Sequence, residues 1–241
     1  MREITGVERT PRAGAPAILL TGMKREAACA ADPGIVALCS GARVANLRQS
    51  LDALKEQDFC AVISFGLAGG LDPALRPGDC LIAREIVSEG GRCSTDERLV
   101  DSLIDAVAGA GRPAVPGVIV GVDVMAMDVP AKTALRVRSG ADAVDMETHV
   151  AAAFAIFRGV PFAALRVVAD PATRALPPLA AKALTPDGDV DQGLVARELL
   201  RAPGQIVDLI RTGRDSRAAF STLGRVGPLV GPLLRLMFAS L

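Results

Sequence analysis

The sequence predicts a single α/β domain on a mixed, largely parallel sheet flanked by helices, followed by a helical carboxyl-terminal extension. Three observations carry this expectation. Short apolar runs alternate with stretches of helical periodicity from residue 17 to residue 170. The 241 residues, half of them hydrophobic, can bury one sizeable core. Several apolar runs end on Gly-rich or acidic residues, at the strand ends where α/β sheets hold their ligands.

Residues 1–15 mix charges with Pro and Gly and are expected to form a tail; they lack the apolar run of a signal peptide. Ala17 to Thr21 is the first strand, followed by a polar-to-apolar turn from Gly22 to Glu26. Ile35 to Cys39 is the second, ending at Ser40-Gly41. The helix from Arg43 to Gln57 sets Val44, Leu47, Leu51 and Leu54 three or four apart, which gives one buried face. Ala61 to Phe65 is a strand running into a Gly66–Gly70 loop. Strands at Cys80–Val87, Val118–Val124, Ala143–Met146 and Phe162–Ala169 then alternate with helices at Asp96–Ala108, Ala131–Val137 and Glu147–Phe157. Asp170-Pro171 stops the last strand, and the Pro-, Ala- and Leu-rich segment from Thr173 to Gly188 reads as a loop or lid. The chain therefore divides into a tail (1–15), a core (16–172), a loop and helix completing it (173–200) and an apolar, basic extension (201–241). The extension has six Arg against two Asp, and Gly227-Pro228 and Gly231-Pro232 are expected to interrupt its helices.

A formal charge of zero gives no generic basic surface, so nucleic acid is not an expected partner. Without Trp or Tyr, stacking must rely on Phe or aliphatic side chains. Cys29, Cys39, Cys60, Cys80 and Cys93 are odd in number and lack metal-ligand spacing. They fit small buried residues in a reducing compartment; no metal or cofactor is expected. No run reaches the roughly 20 apolar residues of a membrane span, and a cytoplasmic location is expected.

The strand ends bring forward Glu26, Asp123, Glu147 and Asp170. Taken alone, Glu147 could be a helix N-terminal charge and Asp170 the cap of a turn before Pro171. Three segments, however, resemble the purine nucleoside phosphorylase/methylthioadenosine nucleosidase superfamily, in family order over residues 16 to 172. They are Gly22-Met23-Lys24-Arg25-Glu26-Ala27; Ile63 to Leu71 with Leu75-Arg76-Pro77-Gly78-Asp79; and Val144-Asp145-Met146-Glu147-Thr148 with Val160-Pro161-Phe162 and Arg166 to Asp170.

The resemblance implies cleavage of the bond between a purine base and ribose. Asp170 matches the acid that protonates or bonds N7 of the leaving base. Glu147 matches the acid that grips the ribose hydroxyls, with Met146 against the sugar. Glu26 matches the carboxylate that activates water in the nucleosidases. The Gly66–Gly70 loop, with Ala68 and Gly69, would lie beside base and ribose. Met125, between Val124 and Ala126, falls where the nucleosidases carry an aromatic residue against the base. Phosphate is a conceivable co-substrate, with Gly22, Arg25, Arg43 and Ser64 as candidate ligands, although Arg43 also fits an exposed helix residue. Leu67 cannot donate to phosphate, and an ionised Glu26 would repel it, so hydrolysis is the expected chemistry. A structural role is expected for His149; for Asp123, a turn residue and a site residue stand level.

Arg201-Ala202-Pro203-Gly204-Gln205 with the Leu- and Arg-rich ending, Gly22 to Ala27, and Leu176-Pro177-Pro178-Leu179-Ala180 resemble the hopanoid-associated phosphorylase branch. That resemblance implies an adenosyl hopanoid as substrate; methylthioadenosine or S-adenosylhomocysteine is the alternative. A third reading is a non-catalytic nucleotide-binding, membrane-associated protein. The family suggests a homodimer. The extension could offer apolar surface and Arg to a membrane at the inner face, or it could pack on the domain or across a dimer interface.

Overall fold

The computed structural model describes residues 14–239 apart from 42, 112, 180–184, 186–190, 192, 196 and 198–205. The elements are β1 (Ala17–Thr21), α1 (Lys24–Cys29), β2 (Ile35–Cys39), α2 (Val44–Ala53), β3 (Val62–Gly70), β4 (Cys80–Ser88), β5 (Gly91–Ser94), α3 (Glu97–Gly109), β6 (Ala114–Gly121), α4 (Val129–Ser139), β7 (Ala143–Asp145), α5 (Thr148–Arg158), β8 (Phe162–Asp170) and α6 (Ile206–Phe238). Most of the tail, most of the Thr173–Gly188 segment after Leu179, and Arg201 to Gln205 lie outside the described residues.

The eight strands form one sheet in the order β2-β1-β3-β7-β6-β4-β5, with β8 pairing both β3 and β4. The path β3–β7–β6–β4–β8 therefore closes on itself. Pairing is parallel except for β3·β7, β4·β8 and the β4·β5 hairpin. Strand alternation feeds two cores. From β1, Ala17 and Leu19 join one buried cluster while Ile18 and Leu20 join the other. Leu47 and Leu51 of α2 cover the second. Leu99, Val100, Leu103 and Val107 of α3 cover the first, and Asp96 caps that helix by accepting from Leu99 N at 2.9 Å.

Three local expectations need correction. Gly22–Glu26 runs into a short helix, because Glu26 reaches back to the backbone N–H groups of Met23 and Gly22. Gly66 to Gly70 is not a loop but the end of β3, paired with β8 and β7. The extension is not broken at its Gly-Pro steps: α6 runs unbroken from Ile206 to Phe238 with Pro228 and Pro232 inside it. Both prolines are on the exposed side of the helix.

The glycines beside them face inward. A Cβ on Gly227 would lie 2.3 Å from Cys29 O, and one on Gly231 would lie 2.3 Å from Asp32 Cγ. α6 thus touches the end of α1 at backbone contact. Ala219, Leu223, Val226, Val230 and Leu234 are buried in the first core, the four Leu and Val side chains at roughly 1.5–3 kcal/mol each. Among the described residues of α6, the large apolar side chains left exposed are Val207, Ile210 and Leu236. Removing the extension is therefore expected to unfold the domain. Among the described residues no helix is long and apolar enough to cross a membrane.

A paired substitution tests this docking. Gly227→Ala, pressed against backbone that cannot yield, is expected to cost about 1–3 kcal/mol in urea unfolding. Gly213→Ala, in the same helix with nothing within 4 Å of the new Cβ, should be neutral or stabilising by up to ~1 kcal/mol. Equal effects at the two positions would mean that α6 does not dock this way.

Candidate active site

A pocket of about 150 Å³ lies against the ends of β3, β7 and β8 and the start of α1. Glu26, Ala68, Gly69, Met125, Met146, Glu147 and Asp170, together with Gly22, all line it. Leu176, at the start of the segment read as a lid, reaches the same pocket and donates its N–H to Met127 O at 2.8 Å.

Glu26 sits in the first turn of α1 and is buried. Its Oε2 accepts from Gly22 N at 2.7 Å and Met23 N at 2.8 Å, and its Oε1 from Leu67 N at 2.8 Å. A carboxylate offers about four lone-pair sites, so one on Oε1 remains for a water or ligand. Burial pushes the Glu26 carboxyl up, opposed by Arg166 and these backbone donors. Gly66, at φ +149°, makes room: a Cβ there would meet Glu26 Cδ at 2.7 Å and Arg166 Nη1 at 2.8 Å.

Glu147 is not acting as a side-chain helix cap. That work is done by Asp145, which accepts from Thr148 N at 3.0 Å and Thr148 Oγ1 at 2.5 Å. Glu147 instead accepts from Ser40 Oγ at 3.0 Å and lies 3.5 Å from Arg166 Nη2. It stands beside Glu26, since a Cβ on Gly22 would touch both carboxylates. Arg166 lies behind the group, fully buried. Its Nη2 pairs with Asp145 Oδ2 at 2.5 Å and donates to Ser64 Oγ at 2.6 Å. One guanidinium thus faces three carboxyls, and burial pushes Glu147 up to about 7.

This shift has a sign that can be tested. A carboxyl raised from 4.5 unfolded to about 7 folded contributes stability that is full below 4.5 and lost as pH rises through about 7. Glu147→Gln is expected to flatten that dependence and to be more stable than wild type at pH 8, by on the order of 1–3 kcal/mol. Urea unfolding at pH 6 and pH 8 checks this; an unchanged pH dependence would remove Glu147 as its source.

Asp170 ends β8, opposite Gly69 and just past a register shift in the β3·β8 ladder. It does not cap the turn before Pro171; its Oδ2 is held by the ammonium of Lys132. Burial pushes its carboxyl up while Lys132, and more weakly Arg174, pull it down.

The candidate phosphate ligands do not converge. Arg25 is exposed and stacks on the Phe220 ring at 4.0 Å, because that position of α1 faces α6 rather than the pocket. Arg43 is exposed at the start of α2, outside the pocket lining. Ser64 is buried behind the pocket, bonded to Arg166 and Thr148. Gly22 lines the pocket, but its N–H already goes to Glu26. His149 and Asp123 lie outside the lining and pair with each other at 2.8 Å. Sequence reasoning gave no role to Arg166, Asp145, Ser40 or Lys132. Arg166 had a signal: a cation inside an otherwise apolar strand must find buried partners.

The family profile described as "Phosphorylase superfamily" matches residues 13–198. A search of curated protein sequences gives no match. Solved structures do match. 5′-Methylthioadenosine/S-adenosylhomocysteine nucleosidase from Neisseria meningitidis, in complex with methylthio-immucillin-A, is 18% identical, with TM-score 0.66 over 90% of this chain and 99% of that one. The corresponding Helicobacter pylori nucleosidase is 15% identical, with TM-score 0.65 over 95% and 100%. Helicobacter pylori futalosine hydrolase is 18% identical, with TM-score 0.57 over 65% and 88%. At these identities the likeness is one of fold.

Proposed function

The chain is an enzyme of the phosphorylase superfamily, and on that premise we propose that it hydrolyses the N-glycosidic bond of an adenine nucleoside. The observation that carries the proposal is the distribution of charge. Carboxyls line the pocket at both ends, Glu26 and Glu147 over Gly22 and Asp170 over Gly69, and among the described residues no Arg or Lys is in the lining.

Asp170 gives a proton to a ring nitrogen of the base as the C1′–N bond breaks. The electron pair leaves with the base. Glu147 accepts hydrogen bonds from the ribose hydroxyls, and its negative charge offsets the cation developing on the sugar. Glu26 holds water through its remaining lone pair and takes its proton as the hydroxyl joins C1′. An anionic phosphate in the same place would face two carboxyls with no cation among the described lining residues, which supports water as the nucleophile. The reading needs neither metal nor cofactor.

For the 5′ substituent we favour a hopanoid, on the resemblance of the Gly22–Ala27, Leu176–Ala180 and Arg201–Gln205 segments. The deep packing of α6 gives a membrane surface little support, so the lipid-linked substrate rests on that resemblance. A homodimer in the cytoplasm, or at the inner face of the membrane, completes the proposal.

The experiment is incubation with adenosylhopane, methylthioadenosine or S-adenosylhomocysteine, with and without phosphate, followed by mass analysis. Adenine and a sugar with a free 1-hydroxyl, formed without phosphate, are expected from adenosylhopane. Preference for the thioadenosines would remove the hopanoid. A strictly phosphate-dependent sugar 1-phosphate would remove hydrolysis, and no base release from any purine nucleoside would leave a non-catalytic binding protein.

A further inference from the structure

Lys132 is at a costly place for a cation. It lies in the first turn of α4, where the helix dipole disfavours positive charge, and its side chain is 1% exposed. Its ammonium is nevertheless fully engaged: it pairs with Asp170 Oδ2 and donates to Pro171 O and Arg174 O, each at 2.9 Å. Three donors meet three acceptors, all on the end of β8 and the turn that follows. Among the described residues Asp170 Oδ1 accepts no hydrogen bond, so the carboxyl that lines the pocket keeps one oxygen for a ligand.

From this geometry, and resting on the hydrolase reading above, we infer that Lys132 is a positioning residue for base departure: it anchors one oxygen of Asp170, leaves the other to the base, and stabilises the carboxylate formed when Asp170 gives up its proton. The proton passes from Asp170 to the base, the C1′–N electron pair follows the base, and the new carboxylate lies against an ammonium already in place. Asp170 is reprotonated from solvent before the next turnover. The charged groups that act on Asp170 are Lys132 from α4 and Arg174 from the turn after β8; Arg174 is itself paired with Asp215 of α6. Burial and these cations oppose each other, so removing Lys132 leaves burial unopposed at that oxygen and makes Asp170 a weaker acid.

The test compares wild type with Lys132→Met and Lys132→Arg. In adenine release, Lys132→Met is expected to lower kcat about 100-fold with little change in KM, and to move the alkaline limb of the pH profile up by about one unit. Lys132→Arg, which keeps the charge, should recover most of the rate. In parallel, carbon NMR of labelled Asp carboxyls, with Asp170 identified by its loss in Asp170→Asn, should show Asp170 titrating higher in Lys132→Met. If Lys132→Met does not fold, Lys132→Gln takes its place in both measurements. A wild-type limb and an unmoved Asp170 titration would overturn the inference, as would a rate loss with the limb unmoved. The NMR arm needs no turnover. A wild type that releases no base therefore defeats the hydrolase reading alone, while the titration still decides whether Lys132 governs Asp170.

Discussion

Asp170→Asn is expected to slow adenine release by about two to four orders of magnitude, because an amide can bond the base but cannot deliver a proton to it. The pairing with Lys132 carries the effect into the fold as well. Wherever Asp170 is ionised, an Asn leaves a buried ammonium without its counter-charge, and breaking a buried pair from one side then costs about 3–5 kcal/mol. Stability and activity should therefore fall together. The double variant Asp170→Asn/Lys132→Met separates them: with both charges gone, stability should return toward wild type while turnover stays lost. Urea unfolding and single-turnover adenine release measure the two effects. Wild-type turnover in Asp170→Asn would end the assignment of the acid.

Glu26→Gln should be comparably damaging, by about two to four orders of magnitude in phosphate-independent release. Here the backbone explains why the conservative change fails. Glu26 accepts three backbone N–H groups through two oxygens, and Gln has one oxygen and an amide that donates. Either Leu67 N or the Gly22–Met23 pair would then face another donor. The substitution thus removes the base and loosens the junction between α1 and β3. The rate of adenine release with isotope-labelled water, followed by mass analysis of the sugar, reads the chemistry directly. An undiminished rate, or rescue of the variant by phosphate with a sugar 1-phosphate product, would transfer the nucleophile's role away from water.

The alternation of apolar runs was legible because β1, β3, β4, β6, β7 and β8 are buried on at least part of their length, and burial writes itself into the residue pattern; β5, with no buried position, left no such mark. What escaped was set by pairing rather than by pattern. Gly66 to Gly70 looks like a loop from its glycines, but β8 and β7 supply the hydrogen bonds that extend β3 through it. α6 looks interrupted, yet its glycines fall on the face that must approach α1 and its prolines on the exposed side. The pocket-lining carboxyls could be placed because strand ends and the family resemblance point to the same residues. Arg25 and Arg43 could not be separated from true ligands by sequence, since which way a surface Arg turns depends on neighbours distant in the chain. Lys132 left no trace at all. In the run Val129 to Ser139 it is one of three cations, and only the tertiary fold makes it the buried one.

The seating of α6 also bears on how the chain assembles. Asp32 and Arg235 form an ion pair across 203 positions, beside the contacts of Gly227 with Cys29 and of Gly231 with Asp32. Closing so wide a separation is slow compared with forming neighbouring strands and helices. The sheet can gather while α1 still lacks its cover, and α1 is the helix that carries Glu26. In refolding followed by pulsed hydrogen exchange, amides of α1 and α6 should gain protection together and late, after those of β3 and β8. Glycosidic activity would then return with that last step, not with the appearance of the sheet.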